Sequence, residues 1–143
     1  VIRLDAPAWR ILWAAHPNPL APVRAPEGRF HHTGQPALYL SLSEAGAASA
    51  LARYLGPDDP PRLIQKLHLR TDGIADLRND EIARAAWHEM DRPAPTWALS
   101  DAARSAGARG LLYRSRTRPE LEHVVLFDWA GALEVTGSAA PWP

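Results

Sequence analysis

Arg29, Tyr39 and the helix that follows them carry the clearest chemical potential in this chain. Arg29 stands between Gly28 and Phe30, and a glycine there lets backbone and guanidinium approach a ligand closely. Tyr39 comes ten residues later. Together they can grip a ligand that is anionic at one point and aromatic at another. Toward the C-terminus, Arg104, Arg109, Arg114, Arg116 and Arg118 fall in a window without an acid between Asp101 and Glu120. Two readings of that window stand open: a solvated turn between strands, or a contact surface for a polyanion or an acidic partner. Within GLLYRSR, Ser115 ends a buried run and opens a loop, where a binding hydroxyl is well placed.

Other chemistries find little support. Six histidines are present, but the adjacent His31 and His32 would point to opposite faces of a strand. No H-E-x-x-H spacing occurs, and His88-Glu89 lacks a second histidine at the right distance, so no metal site is expected. No serine sits in a G-x-S-x-G elbow, and neither phosphate-loop signature is present. The absence of cysteine removes disulfides, thiolate metal sites and thiol nucleophiles.

The elements that must position these residues follow from length and pattern. A chain of 143 residues is expected to form a single domain, residues 1–143, with its own core. Sixteen basic and 16 acidic residues cancel, which argues against a dedicated nucleic-acid binder. No membrane span or signal segment is read, so a cytoplasmic location is expected. Of the basic residues only Lys66 is lysine. Arginine suits phosphate recognition, although a GC-rich genome gives the same bias.

Trp9–Ala15 reads as a first strand, and His16–Pro26, with four prolines, as irregular. Ala37–Ser41 is a short strand. Ser43 caps a helix from Glu44 to Leu55, stopped by Gly56-Pro57. Leu63–Arg70 is a half-buried strand, and Gly73–Leu77 a connection. Asp80 is expected to cap a helix through Met90, and Thr96 another through Ala106, closed by Gly107. Gly110–Arg114, His123–Phe127 and Ala132–Val135 are further strands. The mixture is α+β, with a mixed or antiparallel sheet.

In this order the segments resemble the RES domain, the toxin half of RES–Xre toxin–antitoxin modules. The likeness rests on WRI at Trp9–Ile11, GRF at Gly28–Phe30 and G-x-P-x-L-Y-L at Gly34–Leu40. It continues through AGARGLLYRSR at Ala106–Arg116 and VVLF at Val124–Phe127. The resemblance implies an ADP-ribosyltransferase-like fold, a bent β structure with flanking helices around an NAD cleft. It implies NAD as co-substrate, no metal, and a toxin that transfers ADP-ribose to an acceptor protein. NAD degradation by hydrolysis or phosphorolysis is the alternative activity. Carried across residue by residue, Arg29 matches the arginine of the GRW-type motif, Tyr39 the strand tyrosine, Ser115 the C-terminal serine and Arg10 the early arginine. The family places a catalytic glutamate eleven residues after the strand tyrosine, and here that position is Ala50.

Such chemistry needs a carboxylate beside the ribose, to offset oxocarbenium-like charge as nicotinamide leaves. Arg29 would hold the diphosphate, Tyr39 would face the nicotinamide, and Ser115 would hydrogen-bond amide or ribose. With alanine at position 50 the chain is expected to bind without turning over. It would be a naturally degenerate member or a toxin disarmed by Glu→Ala. The resemblance also implies an Xre-type helix-turn-helix antitoxin that covers the cleft. The rival expectations are a nucleic-acid-binding or RNA-cleaving toxin using the arginine strip, and a non-catalytic interaction module.

Overall fold

The structure, a computed structural model, describes residues Val1–Pro143. Its frame is a sheet curled until it closes. Strand β1 (Ile2–Trp13) lies antiparallel along β3 (Arg62–Asp76), in register from Trp13 opposite Arg62 to Leu4 opposite Thr71, and a bulge then sets Ile2 opposite Ile74. β2 (Leu38–Ser41) touches β1 at Trp9–Ser41 and pairs along its length with β5 (Glu122–Leu126). β5 pairs with β4 (Gly110–Arg114), and β4 runs parallel to the end of β3. The circuit β1–β2–β5–β4–β3–β1 is therefore a five-strand barrel. The far edge of β3 also takes β7 (Ala140–Trp142) and β6 (Leu133–Val135) before it reaches β4.

The period-2 alternation of strands divides the apolar residues between two cores. Leu38, Leu40, Leu67, Leu69, Leu112 and Val124 fill the barrel. Their outward neighbours Leu111, Tyr113 and Val125 join Phe30, Ala37 and Phe127 in a second core outside it. Helix α1 (Glu44–Leu51) is capped by Ser43, whose Oγ accepts from Gly46 N at 2.9 Å, and continues as a 3-10 turn at Ala52–Tyr54. Helix α2 (Pro95–Ser105) starts on proline, as suits a first-turn position without an amide donor, and buries Thr96, Trp97 and Ser100.

Several expectations need correction. β1 begins at Ile2 rather than Trp9, and Gly73–Asp76 is strand rather than connection. Gly73 adopts φ +73°, a bend that only glycine takes without strain, just before β3 meets β4. No α-helix forms between Asp80 and Met90. Asp80 Oδ1 accepts only from Ala83 N, and the segment is turns plus a 3-10 turn at Trp87–Glu89. The carbonyls of Ala83 and Ala85, which an α-helix would use internally, accept instead from Arg29. Thr96 does not cap α2: the capping position is Ala94, and Thr96 Oγ1 is buried without a partner. The class is mixed α+β as expected, with two α-helices against seven strands. No helix is long and apolar enough to cross a membrane.

Candidate functional site

A cavity of about 690 Å³ lies on the outer face of the barrel, walled by α1 and by the segment around Gly28. That volume falls in the range of about 300–1,000 Å³ usual for small-molecule sites. Strand register builds its floor. Trp9 lies opposite Ser41, Ser41 opposite His123, and His123 opposite Tyr113, so one row of side chains crosses β1, β2, β5 and β4. All four line the cavity, and Tyr39, two residues before Ser41, adds a second row.

The wall is electropositive. Arg10, Arg29, Arg53, Arg114 and Arg116 line it, against a single carboxylate, Glu27. Arg10 Nη1 donates to the carbonyls of Pro19 (2.8 Å) and Ala21 (2.6 Å), and burial lowers its pKa to about 10, which still leaves it charged. Arg29 Nη1 donates to Ala83 O at 3.1 Å and Ala85 O at 2.9 Å, and the rest of its fork has no protein partner. Arg53 Nη1 donates to His88 Nδ1 at 2.9 Å, joining the 3-10 turn that follows α1 to the 87–89 turn. Arg114 donates to Pro119 O at 3.1 Å and lies 3.8 Å from Glu122. Arg116 has neither a hydrogen bond nor an ion pair and is exposed.

Under Tyr39 is a fixed hydrogen-bond chain. His31 Nε2 lies 2.8 Å from Ala25 O, an acceptor only, so Nε2 carries the proton. Nδ1 then accepts from the Tyr39 hydroxyl at 2.7 Å, and that hydroxyl accepts from Phe30 N at 3.0 Å. Burial pushes the Tyr39 phenol up and the His31 imidazole down, so both stay neutral. Gly28 makes the approach possible: a Cβ there would stand 2.6 Å from His31 Cε1. On β5, His123 Nδ1 lies 2.8 Å from Ser41 Oγ. Burial first, and then the Arg29 charge, lower its pKa to about 4.

The RES domain matches this sequence over residues 3–143. The chain belongs to the RES domain family. In fold it is similar to a solved structure titled as the M. tuberculosis MbcT-MbcA toxin-antitoxin complex, with a TM-score of 0.74. That similarity comes with 16% identity and covers 99% of this chain and 86% of the other. A comparison with curated proteins gives no match.

All five positions singled out in this RES domain by sequence, Arg10, Arg29, Tyr39, Ala50 and Ser115, meet in the one cavity. Their geometry qualifies the roles expected of them. The Tyr39 hydroxyl is committed to the Phe30–His31 loop. Ser115 Oγ accepts from Arg118 N at 3.2 Å and shapes the turn after β4, while Ser115 N donates to Leu121 O at 2.9 Å. Ala50 is exposed on the cavity side of α1, and Glu44 does not reach the cavity.

The arginine strip of the RES domain's C-terminal half is not one surface. Arg104 donates to Phe30 O (3.0 Å) and Pro36 O (3.2 Å) and packs over the Phe127 ring. Arg109 donates to Thr71 Oγ1 and Ala130 O, and Arg118 pairs with Glu120. Only Arg114 and Arg116 turn to the cavity. No group of three or more histidines and acids stands close enough to hold a metal ion. His31 faces the cavity, whereas His32 stacks on Trp97 and pairs with Asp101. Sequence reasoning passed over His31, Ser41 and His123. Period-2 spacing from Tyr39 would have flagged Ser41, but nothing short of strand register brings His123 beside it.

Proposed function

We propose that this RES domain is the toxin of a toxin–antitoxin pair whose cavity takes NAD as co-substrate for mono-ADP-ribosyl transfer to a cellular protein. On this reading the fold is a variant of the ADP-ribosyltransferase architecture, with the cleft on the barrel's outer face. The observation that carries the proposal is the composition of the cavity: five arginines against one carboxylate, around an aromatic floor, with position 50 on the wall. A diphosphate needs that excess of cations, and flat rings need those faces.

Nicotinamide is a cationic leaving group in NAD and departs neutral, taking the electron pair of its bond to ribose C1′. The acceptor side chain then bonds to C1′ and loses its proton. The free part of the Arg29 fork holds the diphosphate. A carboxylate at position 50 would face the developing positive charge and orient the acceptor. Alanine supplies neither function, so this form holds NAD without cleaving it. Tyr39 acts through its ring and through the loop its hydroxyl fastens. Ser115 fixes the turn that presents Arg116.

The similar solved structure is by its title a toxin–antitoxin complex, which supports an antitoxin partner here as well. We read that partner as carrying a helix-turn-helix DNA-binding part of the Xre type and covering the cavity. The test uses the Ala50→Glu protein incubated with labelled NAD and cell extract. Label bound covalently to a protein supports transfer. Free ADP-ribose would point to hydrolysis instead, and its phosphate to phosphorolysis. Intact NAD would defeat the proposal.

A further inference from the structure

The Ser41–His123 pair sits in the middle of the cavity floor and is the one polar element there that the reading above does not use. His123 is only 6% exposed and Ser41 4%. Their Cα positions are directly paired between β2 and β5, so the 2.8 Å contact between Ser41 Oγ and His123 Nδ1 is set by the ladder itself. Ser41 Oγ has no other partner. Nδ1 is the only protein acceptor the hydroxyl reaches, so we assign the Ser41 proton to it, and the neutral ring then carries its own proton on Nε2. His123 Nε2 makes no hydrogen bond to the protein, yet it is not among the polar atoms sealed in the interior. It is a donor presented to the cavity.

Its surroundings define what it can meet. The Tyr113 ring lies 5.6 Å away, tilted by 40°, and Trp9 stands on the other side of Ser41. Gly46 of α1 covers the pair closely: a Cβ there would lie 3.2 Å from Ser41 Cβ and 3.7 Å from His123 Cε1. A donor between two aromatic rings suits a flat ring bearing a carbonyl oxygen. The ring is also kept neutral by burial and by Arg29, so it adds nothing to the grip on phosphates, which the arginines supply.

We infer that His123, oriented by Ser41, is a specificity-determining residue that donates from Nε2 to a neutral carbonyl oxygen of an aromatic carboxamide. Resting on the NAD reading, this is the nicotinamide end of the substrate. The diphosphate and adenosine lie toward the arginines. Ser41 acts only through His123 and is a positioning residue.

The experiment is calorimetric titration of the parent protein, His123→Leu, His123→Asn and Ser41→Ala with NAD and, separately, with ADP-ribose. Leucine removes the donor and should weaken NAD about tenfold while leaving ADP-ribose binding unchanged. Asparagine keeps an N–H donor and should recover most of that loss. Ser41→Ala releases the tautomer and should weaken NAD about threefold, again with no effect on ADP-ribose. That variant removes a single hydroxyl and decides the matter if the leucine variant does not fold. Equal NAD affinity in the parent, His123→Leu and Ser41→Ala would overturn the inference, as would a parallel loss of NAD and ADP-ribose, which would make the pair merely structural. A parent protein that bound neither ligand would overturn the NAD reading first, and this assignment with it.

Discussion

Replacing Tyr39 by phenylalanine removes one oxygen and separates two roles that the sequence alone merges. The hydroxyl accepts from Phe30 N at 3.0 Å and donates to His31 Nδ1 at 2.7 Å. Without it, an amide donor on a fully buried residue and a ring nitrogen on one that is 1% exposed both lose their partner. Each stranded group costs about 1–3 kcal/mol. Water reaches neither residue, so the sum is at least about 2 kcal/mol. With a urea m value of about 2 kcal/mol/M, the unfolding midpoint should fall by about 1 M. The assay is equilibrium urea unfolding of parent and Tyr39→Phe at neutral pH. The aromatic face remains, so NAD binding by the folded variant should change less than stability does. A midpoint shift below about 0.2 M would refute the claim that the hydroxyl fastens the loop.

Three further outcomes follow from the same geometry. An unfolded His123 takes up a proton near its ordinary value of 6.5, whereas the folded one waits until about 4. Stability is therefore lost as pH falls through that window, by up to about 3 kcal/mol from this group. His31 contributes in the same direction, and urea unfolding between pH 7 and 4 should show a shallower loss in His123→Asn. Gly28→Ala forces a Cβ to within 2.6 Å of a His31 ring held at both nitrogens; the cost should be about 1–3 kcal/mol in thermal unfolding. Arg116→Ala should leave stability within about 0.5 kcal/mol, because the side chain has no partner. It should also weaken NAD binding and flatten its salt dependence by calorimetry.

What the sequence made legible depended on how local the cause was. Gly110–Arg114 is a buried apolar run between turn residues, and its boundaries as read are those observed. Ser43 and Gly107 mark helix limits through local chemistry, one by its capping hydroxyl and the other by its positive φ. The missing helix at 80–90 has a distant cause, the Arg29 fork on Ala83 and Ala85 from more than 50 residues away. β7 leaves little sequence signal because Pro141 lowers strand propensity, and an edge position on β3 tolerates it. Barrel closure rests on β1 pairing with β3 across the whole intervening chain, which no local pattern encodes.

The site divides in the same way. Arg10, Arg29, Tyr39, Ala50 and Ser115 were found through motif likeness, and the fold gathers them into one cavity. The arginine strip dissolved because Arg104, Arg109 and Arg118 each had a carbonyl or acid to hold. Ser41 and His123 become neighbours only through the register of β2 on β5.

On the proposed reading, this cavity binds NAD and lacks only the carboxylate at position 50. Nicotinamide release from NAD, measured by chromatography for the parent and for Ala50→Glu, tests it directly. Release by Ala50→Glu should run at a rate on the order of 10²–10³ above the parent. An Ala50→Glu protein that binds NAD yet releases no more nicotinamide than the parent would contradict it.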